Sequence, residues 1–129
     1  MRLLLDTHAA LWMFAGSPEI GQDLQAVLTD PAHDLYFSDA SAWEIVIKHQ
    51  IGRLPLPEAP GRWVPRMVRQ HRLSPLPIDR SAIFRWGTLP RVHRDPFDRM
   101  LVAQALCEDL QLVSRDPEVA RYPVKTFWI

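Results

Sequence analysis

Short apolar runs alternate along this chain with longer segments of helical periodicity. Arg2-Leu3-Leu4-Leu5 stays apolar up to Asp6 and reads as a buried strand. Asp34-Leu35-Tyr36-Phe37 and Gln111-Leu112-Val113-Ser114 have the same form. Leu73 to Ile78 contains Pro75 and Pro77, which places any strand there at a sheet edge. Val124 to Trp128 predicts a last strand. Helical patterns fill the intervals. One runs from His8 to Phe14 and is closed by Gly16; a second opens at Ser17-Pro18-Glu19 and runs to about Thr29. A third follows Ser38-Asp39, from Ala40 to about Gln50. Arg62 to Arg72 is basic and amphipathic, with Pro65 disturbing its first turn. Asp79 caps a helix to about Trp86, Gly87 to Arg94 reads as loop, and Asp95 caps a helix to about Asp109. Asp116-Pro117-Glu118 predicts a brief helical turn. Strands alternating with helices imply an α/β domain with a mainly parallel sheet, one domain over residues 1–129.

In such sheets the functional site lies beyond the carboxyl ends of the strands. Asp6 directly follows the first strand, and Asp116 lies just past Ser114. Glu44, Asp95 and Asp98 stand near helix starts, which belong to that same edge. A capping box at Ser41-Ala42-Trp43-Glu44 would explain Glu44 structurally, but it leaves Ser38 and Asp39 unused. Asp95 is a natural cap before Pro96, with Asp98 one turn further on the same face. Four or five carboxylates thus converge, with no His or Cys beside them. Two carboxylates about 5 Å apart repel by about 3 kcal/mol at an effective dielectric of about 20. Four together cost on the order of 10 kcal/mol, comparable to a domain's stability of roughly 5–15 kcal/mol. Such a cluster must take up protons or cations. All-oxygen ligands select Mg²⁺ or Mn²⁺ over zinc.

Composition narrows the options. The chain has 15 basic and 15 acidic residues, which excludes a generic nucleic-acid coat. The distribution is uneven: residues 61–99 hold nine Arg, no Lys and three Asp. That bias suits phosphate or carboxylate recognition, and equally a solvated surface. No apolar run approaches a membrane span, and the stretch before Asp6 is too short for a signal-peptide core. The single Cys107 falls in an apolar helical pattern and is expected as a packed thiol in a reducing, cytoplasmic setting. Leu11-Trp12-Met13-Phe14 is apolar without a break. It is either covered on several sides or turned towards a partner.

Three functional readings stay open from the residues. One is a divalent-metal site for phosphoryl chemistry, with the Arg-rich segment holding a polyanion. Another is a binding or regulatory module without catalysis. The third is a phosphomonoesterase using Asp6 as nucleophile, although no Asp-x-Asp pair stands there.

Leu3-Leu4-Leu5-Asp6-Thr7-His8, Ser41-Ala42-Trp43-Glu44-Ile45, Asp95 through Ala105 and Leu112-Val113-Ser114-Arg115-Asp116 resemble, in order, the four acidic motifs of PIN-domain proteins. The resemblance is nearest to the ribonuclease toxins of VapBC-type toxin–antitoxin pairs. It implies a three-layer α/β/α sandwich, Mg²⁺- or Mn²⁺-dependent endoribonuclease activity on RNA, a homodimer and a cognate antitoxin. By position, Asp6, Glu44, Asp98 and Asp116 match the family's catalytic, metal-binding quartet. Asp95, Thr7 and Ser114 stand nearby as candidates to orient ligands or waters; the plainer reading makes Asp95 the helix cap and the other two ordinary strand-end hydroxyls.

Overall fold

The computed structural model describes all 129 residues. Five parallel strands form one sheet in the order β3-β2-β1-β4-β5: β1 (Arg2–Leu5), β2 (Asp34–Ser38), β3 (Ser74–Leu76), β4 (Gln111–Val113) and β5 (Thr126–Phe127). Six helices cover it: α1 (Thr7–Ala15), α2 (Gln22–Thr29), α3 (Asp39–Gln50), α4 (Pro60–Gln70), α5 (Arg80–Thr88) and α6 (Pro96–Glu108). The sheet is the middle layer of a three-layer α/β/α sandwich, and it is wholly rather than mainly parallel.

The alternation within β1 explains the two cores. Leu3 and Leu5 face one way and pack with α1, α2 and α4 through Ala9, Met13, Leu24, Val64 and Met67. Leu4 faces the other way and packs with Leu112 and the Leu101–Ala103 stretch of α6. All three leucines are fully buried, as the unbroken apolar run requires of a central parallel strand. Polar groups tie the layers where they meet. Gln104 of α6 is buried, accepts from the Ser38 hydroxyl and donates to the Pro77 carbonyl at 3.2 Å.

Most predicted elements are present with small boundary shifts, and three readings are corrected. The helix read from Ser17 begins at Gln22. Ser17 Oγ instead accepts from Glu19 N at 3.2 Å, its carbonyl accepts from Ile20 N, and extended Gly21 caps the helix. A start signal is therefore spent on a turn that buries Ile20. Pro65 does not interrupt α4, which begins at Pro60 and continues through it to Gln70. Cys107 is exposed, because the buried stripe of α6 ends at Ala105 and the thiol lies off it. The four apolar residues of α1 are mostly covered: Met13 is buried, and Leu11, Trp12 and Phe14 pack half-buried against the core. Phe14 sits among Phe37, Trp63 and His71, and Trp12 meets Trp128 edge-on. Gly16 closes α1 at φ +62°, where a side chain would be strained. No helix is long and apolar enough to cross a membrane.

Gln104→Leu keeps the side-chain volume but strands Ser38 and the Pro77 carbonyl. Urea denaturation should show a loss of about 1–3 kcal/mol; an unchanged midpoint would mean that this buried link adds nothing.

Candidate functional site

Strand order reverses at β1, which lies between β2 and β4. Leu5 pairs with Val113, so Asp6 and Ser114 leave the sheet edge at the same level. Asp6 N donates to Val113 O at 3.1 Å, continuing the ladder by one step. The chain then turns straight into α1, with Asp6 as its cap: Oδ1 accepts from Ala9 N at 2.7 Å. After β4, Ser114 Oγ accepts from Asp116 N at 3.1 Å, and Asp116 Oδ1 accepts from Glu118 N at 2.9 Å. These two local bonds fold Asp116 back beside Asp6.

The other acids arrive on helix starts. Ser38 caps α3, which sets aside the capping-box reading of Ser41 and Glu44. Ser41 receives a hydrogen bond from Thr7 Oγ1 at 2.9 Å, so Thr7 ties α1 to α3. Glu44 lies a turn further in and is 2% exposed. Its Oε2 meets Lys48 Nζ at 2.7 Å, while Oε1 is buried with no partner. Asp95 is the cap of α6, as expected: Oδ1 accepts from Phe97 N and Asp98 N at 2.9 and 3.1 Å. Asp98 follows in the first turn.

These acids share one electrostatic field. Burial pushes the Asp98 carboxyl up to about 6, and the charges of Asp95, Glu44 and Asp6 push the same way against the hydrogen bond from His93. Asp6 is also raised, first by burial and in small part by Asp116; the Ser114 hydroxyl, Ala9 N and His8 oppose this. The sequence-predicted acids are thus brought within each other's electrostatic reach. They stop short of chelation: no three His, Cys, Asp or Glu side chains are grouped so as to hold a metal ion. Glu44 is turned to Lys48 and Asp98 to His93.

Histidines are present at this edge, contrary to the sequence reading. His8 lines, with Asp6, Trp12, Arg115 and Asp116, a cavity of about 350 Å³. The Arg115 guanidinium stacks there on Trp12 at 4.4 Å. His93 lies 3.4 Å from Asp98 Oδ2 through Nε2 and 2.7 Å from the Tyr122 hydroxyl through Nδ1. Tyr122 is buried, and its other hydrogen-bond neighbour is Arg99 Nη1 at 3.2 Å, which only donates. The phenol oxygen accepts from Arg99, and the His93 ring bridges the Tyr122 hydroxyl and the Asp98 carboxylate. Arg99 is itself buried without a carboxylate. It donates to the Pro90 and Trp86 carbonyls at 2.8 and 2.9 Å and lies 4.5 Å from the Trp86 ring centre. The signal for His93 was its place two residues before Asp95, the first acid of the Asp95–Asp98 motif. Lys48 was visible as the i+4 partner of Glu44.

The PIN domain family model matches residues 3–125, and the chain belongs to that family. Among known proteins it is 37% identical over 59 residues to ribonuclease VapC16 of Mycobacterium tuberculosis; this stretch is 46% of the chain and 42% of that protein. The fold is similar to VapBC2 from Rickettsia felis, solved with a promoter DNA fragment, at TM-score 0.74 and 16% identity with both chains fully covered. It is also similar to DNA-bound VapBC from Salmonella typhimurium, at TM-score 0.68 and 19% identity, covering 98% of this chain and 96% of that one.

An acid whose pKa is higher folded than unfolded binds its proton better in the native state. Its penalty on folding is thus greatest above pH 6 and fades as pH falls towards 4. Metal-free protein should gain stability from pH 7.5 to about pH 5, with Asp98 contributing on the order of 2 kcal/mol. Asp98→Asn should be more stable at neutral pH and show a flatter profile by chemical denaturation. A variant no more stable than the parent would place Asp98 outside a repulsive cluster.

Proposed function

We propose that this chain is a single-domain, divalent-metal-dependent endoribonuclease and the toxin of a toxin–antitoxin pair, acting in the cytoplasm. The observation that carries the reading is the set of carboxylates held under mutual repulsion beyond β1 and β4, one with a buried oxygen that nothing satisfies. Family membership and the resemblance to a named ribonuclease support it.

The donor set fits Mg²⁺ or Mn²⁺: hard carboxylate oxygens, no thiolate and an orphaned Glu44 Oε1 in need of a positive partner. Asp6, Glu44, Asp98 and Asp116 are the residues assigned to hold the cation. When bound, it lowers the pKa of water and neutralises charge on a phosphodiester. The chain supplies the rest. Asp6 and Asp116 are fixed by backbone donors, so their carboxylates keep one orientation. Ser114 sits between them and turns the chain. Asp95 holds the start of α6 and so sets where Asp98 stands. His93 orients one Asp98 oxygen, and Lys48 neutralises one Glu44 oxygen.

The phosphomonoesterase reading loses ground here. Asp6 Oδ1 is engaged by Ala9 N and the side chain is 6% exposed, a poor setting for an attacking carboxylate. A cognate antitoxin and a homodimer are assigned to the apolar surface. Trp12 and Phe14 border a hollow of about 880 Å³ beside α2 that none of the four acids lines. Trp43 and Phe84 stand 60% and 70% exposed elsewhere. The first suits the antitoxin and the second a second copy of the chain.

Purified protein on a pool of structured RNA should cleave internally in Mg²⁺ or Mn²⁺ and not in EDTA, and Asp6→Asn should lose the activity. The fragments should carry 5′-phosphate and 3′-hydroxyl ends, since water attacks. Ends bearing 2′,3′-cyclic phosphate would overturn the mechanism; folded protein that cleaves nothing would favour the silent binding module.

A further inference from the structure

Beside the acids lies a second hollow, of about 610 Å³, lined among others by Trp86, Leu89, Arg91, His93, Arg94 and Arg99. Its charge is one-sided. Arg91 and Arg94 are exposed and pair with no carboxylate, whereas Arg66, Arg115 and Arg121 each pair with a Glu. Arg99 forms the buried wall, and its charge is met only by two carbonyls, a phenol and the Trp86 ring. A buried cation without an anion leaves uncompensated positive potential at the cavity wall. Aspartates are excluded from the contacts of all three arginines, although Asp95 and Asp98 are neighbours in sequence.

The loop that carries this charge is braced. Arg121 Nη1 donates to Val92 O at 3.2 Å, Arg99 Nη1 to Pro90 O at 2.8 Å, and His93 is fixed by Tyr122 at 2.7 Å. Loop residues Leu89 to Asp95 are thus held by three contacts from α6 and from the 3₁₀ turn Val119–Arg121 and its end. Two free guanidinium groups on a fixed loop lose less freedom on binding than they would on a mobile one. His93 belongs to both places: it lines this hollow and touches Asp98. The basic hollow therefore opens next to the acid edge.

We propose that this hollow is a phosphodiester subsite for the RNA strand, with Arg91 and Arg94 gripping backbone phosphates adjacent to the bond presented to the acids. The inference rests on the RNA reading above and deepens it. Guanidinium forks match phosphate oxygens in pairs, and the buried Arg99 adds attraction without contact. The arginines of α4 are not part of the subsite: none of them lines the hollow.

The test is binding of a fluorescein-labelled single-stranded RNA, read by anisotropy in EDTA between about 50 and 200 mM KCl. Wild type, Arg91→Ala/Arg94→Ala and the α4 control Arg62→Ala/Arg69→Ala are compared. All four positions are exposed, and circular dichroism confirms folding. Loss of two phosphate contacts should flatten the log–log salt slope by about 1.4. The α4 control should keep the wild-type slope. Equal slopes for wild type and Arg91→Ala/Arg94→Ala, or a loss confined to the α4 control, would overturn the subsite. Metal-dependent cleavage by the same wild-type sample would then leave the nuclease reading standing. Conversely, Arg91- and Arg94-dependent binding with no cleavage in Mg²⁺ or Mn²⁺ would keep the subsite and sink the nuclease.

Discussion

Repulsion among buried carboxylates is the constraint on which this structure turns. Burial lifts the Asp98 carboxyl to about 6, and the charges of Asp95, Glu44 and Asp6 add to it. A fold of ordinary stability tolerates this only if the acids are held by something else. Here each has a local structural task. Asp6 and Asp95 cap helices, Asp116 caps a turn, and Glu44 meets Lys48. The contacts that fix the backbone at the sheet edge are the same ones that hold the charges together. Stability and site chemistry are coupled through single side chains.

The parallel sheet supplies the geometry. With β1 and β4 side by side and in register, their ends deliver Asp6 and Ser114 to one level. Helices that start where strands end add Glu44 and Asp98. His93, Tyr122 and Arg99 then link the acid edge to the basic hollow through direct contacts of 3.4, 2.7 and 3.2 Å. Opposite charges lie on the two sides of one imidazole, an arrangement suited to holding a cation on one side and a polyanion on the other.

Much of this was legible in the residues. Unbroken apolar runs marked β1, β2 and β4, and Ser38, Asp79 and Asp95 capped the helices they precede. Convergence of the acids followed from strand–helix alternation alone. What escaped was set by contacts remote in sequence. The Ser17 signal served a turn because Ile20 found a place in the core. Cys107 sits in an apolar stretch but off its buried stripe. His93 reached the site through Tyr122, a partner 29 residues away that no local pattern exposes. The sequence reading also placed the carboxylates as ready ligands, whereas Lys48 engages Glu44 and His93 engages Asp98.

The central claim is that these acids form a cation site. Thermal unfolding during a Mn²⁺ titration tests it without reference to any substrate. An ion that binds only the native state stabilises it by about 2.7 kcal/mol at 100 times its dissociation constant, and the midpoint rises with its concentration. Wild type should show that rise, and Asp98→Asn, stable at the outset, should show little. A wild-type midpoint indifferent to Mn²⁺ and Mg²⁺ would contradict the account.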